Sequence, residues 1–94
     1  SANKKVNSIT HIFLKNTELV PSTLEQMLFE VPFASLPADM IDTVTVDLDG
    51  MPAGTTLTVK DIPEFQSGKI ELQIDADSMV LRIVDKKRAV EEAA

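Results

Sequence analysis

The run Thr43-Val44-Thr45-Val46-Asp47-Leu48-Asp49 alternates without a break. Val44, Val46 and Leu48 share one face, and Thr43, Thr45, Asp47 and Asp49 share the other. A period of two, with β-branched residues on both faces, reads as a strand that turns one face to a core and one to water. Both ends are marked. Leu36-Pro37-Ala38-Asp39 brings the chain in through a turn, because Pro37 fixes its own φ and offers no N–H to a ladder. Asp49-Gly50 closes the strand at a residue that tolerates positive φ.

Similar patterns recur along the chain. Residues 7–14 read as a strand, with Ile9, His11 and Phe13 on one face and Thr10, Ile12 and Leu14 on the other. Residues 37–42 read as a turn that includes a short helical turn. Residues 55–60 form a strand with Leu57 and Val59 inward, and residues 69–74 alternate Ile70, Leu72 and Ile74 with Lys69, Glu71 and Gln73. Residues 79–84 are apolar on both faces except for Arg82, the pattern of a central strand. Residues 24–34 fit two readings. Ser22 and Glu25 make a capping box ahead of a helical face of Leu24, Met27, Leu28 and Val31. Met27, Phe29, Val31 and Phe33 also alternate as a strand, and Pro32 suits a strand only at an edge or bulge. Short strands joined by Pro, Gly and Asp turns indicate a mainly β fold. The expected form is a small antiparallel sandwich or barrel-like domain of about six strands with a short helical turn. The expected organisation is a linker or frayed N-terminus at 1–6, a β domain at 7–84 and a charged, alanine-rich tail at 85–94.

Composition narrows the function. The net charge is −6, and it is unevenly placed. Residues 36–84 hold nine acids against Lys60, Lys69 and Arg82, whereas acids and bases balance on either side. Nucleic-acid affinity rests on clustered Lys and Arg, so this middle repels a phosphate backbone. Four Phe with no Trp or Tyr leave few platforms for exposed bases. The absence of cysteine removes disulfides and thiolate zinc sites and fits a reducing cytoplasm. No apolar run reaches the ~18–20 residues of a membrane span.

No catalytic constellation emerges, and the chain reads as a non-enzyme without cofactor, metal or small-molecule substrate. His11 is the only histidine and has no second imidazole or thiolate to share a metal. Asp47-Leu48-Asp49-Gly50 resembles part of a calcium loop. Setting Gly50 at loop position six puts Thr56 where the bidentate Glu belongs. The glycines at 50, 54 and 68 form neither a P-loop nor a dinucleotide fingerprint.

Three stretches together resemble one family. They are Thr23-Leu24-Glu25-Gln26-Met27-Leu28-Phe29-Glu30-Val31, Leu36-Pro37-Ala38-Asp39-Met40-Ile41, and Val44-Thr45-Val46-Asp47-Leu48-Asp49-Gly50-Met51. In order and spacing they are similar to the C-terminal β domain of the long-form bacterial 5S-rRNA-binding ribosomal proteins, the Ctc general stress protein family. Gly54-Thr55-Thr56-Leu57-Thr58-Val59-Lys60-Asp61-Ile62 resembles that family's hairpin strand, and Asp75-Ala76-Asp77-Ser78-Met79-Val80 its closing strand. The departures fall in turns: Pro21-Ser22 stand where the family carries two glycines, Asp42 replaces a proline, and Thr55 replaces an aspartate. The resemblance implies that residues 24–34 are one long, bent strand. It also implies a component of the large ribosomal subunit, cytoplasmic and ribosome-associated, that binds 5S rRNA through a separate N-terminal barrel. No part of this chain matches that barrel, so no RNA-binding residue carries over. Lys86, Lys87 and Arg88 in the tail remain as the cations available for phosphates. The alternative expectation is a free-standing β-sandwich interaction module unrelated to RNA.

Overall fold

In the computed structural model, which describes residues 4–85, the longest strand is β1 (Val6–Lys15). After a 3-10 turn at Thr17–Leu19 come β2 (Thr23–Gln26) and β3 (Glu30–Ser35). A second 3-10 turn at Pro37–Asp39 leads to β4 (Thr43–Asp47). The remaining strands are β5 (Thr56–Thr58), β6 (Ile70–Leu72) and β7 (Met79–Val84). They form a four-stranded sheet in the order β4-β1-β3-β6 and a three-stranded sheet in the order β2-β7-β5. The result is a mainly β half-barrel with no helix beyond 3-10 turns among the described residues.

The core draws on both sheets. Val31, Leu48, Val59, Val80 and Leu81 are fully buried, and Ile12, Val44 and Val46 join them. On β1 the inward face is therefore that of Thr10 and Ile12, which leaves Ile9 and Phe13 outside. Thr10 is a polar group in this core, and its hydroxyl donates to the Ile41 carbonyl at 2.8 Å. That bond pins the connection from β3 to β4, which must pass β1 because β3 and β4 flank it. The same passage makes β4 run parallel to β1. The antiparallel expectation thus holds for four strand pairs and fails for this one.

Residues 24–34 are not one strand. β2 pairs with β7 in one sheet, while β3 pairs with β1 and β6 in the other. Between them the Met27 and Leu28 N–H groups both donate to the Val80 carbonyl, and the Ile12 N–H donates to the Phe29 carbonyl. The chain changes sheets there, so about six strands become seven. Pro32 lies inside β3, beside β6. The Gln73 N–H donates to the Pro32 carbonyl at 3.0 Å, and Pro32 has no N–H to return. Half a ladder pair remains at that point, and β6 ends at Leu72.

The strand expected at 55–60 is shortened by capping. Asp61 accepts from the Thr58 N–H at 2.9 Å and from the Thr58 hydroxyl at 3.0 Å, which folds Val59–Asp61 into a 3-10 turn. The Asp47 carboxylate works similarly after β4. It accepts from the Asp49 N–H at 2.9 Å and from the Asn16 amide at 2.8 Å, tying the ends of β1 and β4 together. Gly50 then turns at φ 82°, a conformation that favours glycine.

These carboxylates give stability a sign with pH. The Asp49 N–H, then the Asn16 amide, hold the Asp47 carboxyl below its ordinary value of 3.8. The Thr58 N–H, then its hydroxyl, do the same for Asp61. A depressed folded pKa adds stability that is complete above the unfolded value and lost as pH falls through the folded one. Wild type should therefore exceed Asp47→Asn/Asp61→Asn in urea midpoint at neutral pH, and the gap should close below pH 3.8. A gap of constant size down to about pH 2 would assign the effect to shape rather than charge.

Candidate interaction surface

β1 places alternate side chains on the outer face of the four-stranded sheet, and three apolar groups there remain in water. Ile9 is 47% exposed and Phe13 is 56% exposed. Phe29, at the crossing between the sheets, is 61% exposed. Register sets their neighbours: Ile9 lies opposite Pro32, His11 lies between Glu30 and Thr43, and Phe13 lies opposite Thr45. An open groove of about 450 Å³ adjoins this face, lined by His11, Phe13, Leu24, Gln26 and Phe29. It exists because the chain leaves β2 for β3 at that corner, so the two sheets part. His11 is exposed on the outer face, with Ile9 and Phe13.

The acidic residues are spread over turns. Asp75 accepts from the Asp77 N–H at 2.9 Å, and Asp77 pairs with Lys60 at 2.7 Å. That pairing, through the Asp77 hydrogen bond first, raises the Lys60 pKa above 10.5. Each of Asp47, Asp61 and Asp75 thus shapes its own turn. Among the described residues no group of three or more His, Asp or Glu is placed to hold a metal ion. Nor is any helix among them long and apolar enough to cross a membrane. Lys86, Lys87 and Arg88 lie outside the described residues, as do most of the tail and residues 1–3.

Seven strands in two sheets, with the β3–β4 crossover and the acidic turns in this order, set the frame in which residues 11–87 match the family described as ribosomal protein TL5, C-terminal domain. The chain belongs to that family. It is 32% identical over 65 residues to the large ribosomal subunit protein bL25 of Chlorobium phaeobacteroides (strain BS1), covering 68% of this chain and 31% of that protein. It is 31% identical over 70 residues to the large ribosomal subunit protein bL25 of Enterococcus faecalis (strain ATCC 700802 / V583), covering 74% of this chain and 34% of that protein. The match thus spans about a third of each relative's length. Of the TL5 C-terminal frame, the pieces quoted from the sequence occupy β2 through β5 and the start of β7.

The exposed apolar face is the feature that the sequence pattern did not single out. Met27, Phe29, Val31 and Phe33 alternate evenly, yet Val31 and Phe33 are fully buried while Met27 and Phe29 stand in solvent. The change of sheets before Glu30 separates them, and alternation carries no mark of it.

Proposed function

We propose that this chain is the C-terminal accessory domain of a large-subunit ribosomal protein, a non-enzymatic structural component carried to 5S rRNA by a separate N-terminal domain. The observation that carries this reading is the family match over residues 11–87. The names of the two bL25 relatives support it, and the reading places the protein on the ribosome in the cytoplasm. The charge supports the division of labour: nine acids against three bases in residues 36–84 leave no basic stripe for an RNA backbone. A free-standing module unrelated to RNA is not favoured, because both relatives bear ribosomal names.

Two measurements test the reading. The full-length protein should co-sediment with large ribosomal subunits; a protein that stays wholly in the soluble fraction overturns it. The isolated chain should bind 5S rRNA only at or above roughly the 10⁻⁴ M end of the non-specific range at physiological salt. Sub-micromolar binding in an anisotropy titration would move RNA recognition into this domain.

A further inference from the structure

Among the described residues, four strands have a free edge, namely β4 and β6 in one sheet and β2 and β5 in the other. Natural edges are blunted by shortness, bulges, lysine or proline. β5 and β6 are three residues long, β5 also carries a register shift between Leu57 and Thr58, and β2 has four residues. β4 is the longest at five residues, Thr-Val-Thr-Val-Asp, and contains no lysine, proline or bulge. Its register shows which backbone groups are used. The His11 N–H donates to the Asp42 carbonyl at 3.0 Å, and the Leu48 N–H to the Lys15 carbonyl at 2.9 Å. Residues alternate along such a ladder, so 42, 44, 46 and 48 turn toward β1. Thr43, Thr45 and Asp47 therefore direct their N–H and C=O groups away from the sheet.

A groove of about 230 Å³ follows this edge. Val44 through Asp47 line it consecutively, and Met51, Leu57, Ile62 and Pro63 face them. Two sheets that fail to join between β4 and β5 leave this opening. Three carboxylates, Asp47, Asp61 and Glu64, stand on its rim. Among the lining residues there is no cation to offset them.

We infer that this groove takes an extended, lysine- or arginine-bearing segment of a partner protein, which adds to β4 as a further strand. Its main chain pairs with Thr43, Thr45 and Asp47. Alternate side chains enter the apolar wall of Val46 and Ile62, and the others set cations against the acidic rim. Charge selects this occupant. A second copy of the chain would bring its own Asp47 to the same rim, and a nucleic-acid phosphate would meet three like charges. The inference rests on the edge and its groove, independently of the ribosomal reading.

The test uses the full 94-residue chain and a capped synthetic peptide, Lys-Val-Lys-Val-Lys-Val-Lys, followed by amide NMR shifts. Two companion peptides replace every Lys with Glu, or the central Val with Pro. The basic peptide should shift the amides of Thr43, Thr45, Asp47 and Leu57. The proline peptide and the Asp47→Lys/Glu64→Lys chain should each bind about tenfold more weakly, one losing a ladder bond and the other the charge match. Where that double variant fails to fold, the three peptides on the wild-type chain decide alone. Equal binding by the acidic or proline peptide, shifts centred on Ile9, Phe13 and Phe29, or no shift at all would overturn the inference. So would β4 amides already protected from exchange in the free chain, which would assign the edge to a second copy or to residues 86–94.

Discussion

Val46→Asp should leave the chain largely unfolded, while Thr45→Asp, one residue away, should still fold. Val46 is 9% exposed and packs in the core cluster, whereas Thr45 is exposed on the other face of β4. An aspartate at 46 must either bury a carboxyl without a partner or pull β4 out of the sheet. The first costs several kcal/mol even after the group protonates. A domain of this length holds only about 5–15 kcal/mol in all. At position 45 the new carboxylate stays in water, and the ladder to β1 runs through residues 44 and 46. Far-UV circular dichroism and urea midpoints on the two variants read the difference directly. Equal midpoints would mean that the face assignment of β4 is wrong.

β4 was legible in the sequence because apolar and polar residues alternate without interruption, and every residue of its inner face is buried. β7 was legible for a different reason. It is apolar on both faces except for Arg82, the pattern of a central strand, and it is the middle strand of its sheet, between β2 and β5. The break between β2 and β3 was not legible, since a strand that leaves one sheet and enters another keeps its period of two. Only the long-range bonds to Val80 and Ile12 reveal the change. The parallel pairing of β1 with β4 was hidden likewise, because alternation states which face is buried and not which strand lies alongside. The end of β5 was readable in principle. Thr58 and Asp61 stand three apart, the spacing of a capping box, in a stretch whose alternation of Leu57 and Val59 concealed it. The free edge of β4 left no mark at all, because an edge strand with one wet face and a paired strand with one wet face carry the same pattern.

Leu81→Ala should cost about 2–5 kcal/mol, the range for emptying a packed leucine site. Leu81 is fully buried in the middle strand of its sheet, with Gln26 of β2 on one side and Leu57 of β5 on the other. Neighbours held by ladders on both flanks cannot collapse far into the space left behind, which places the cost in the upper part of that range. Each kcal/mol lowers the melting temperature of a 60–100-residue domain by roughly 4–8 °C, so the variant should melt at least about 8 °C early. The adjacent Arg82→Ala supplies the contrast. Arg82 pairs with Glu25 across the same two strands, but both side chains are more than a third exposed. Exposed ion pairs of this kind are worth about 0–1 kcal/mol because solvent screens them. The two substitutions remove side chains one residue apart on one strand and should differ severalfold in effect. Chemical denaturation with an unchanged m-value decides it. A larger loss from Arg82→Ala than from Leu81→Ala would mean that the three-stranded sheet is held at its surface, and that β7 does not carry the core.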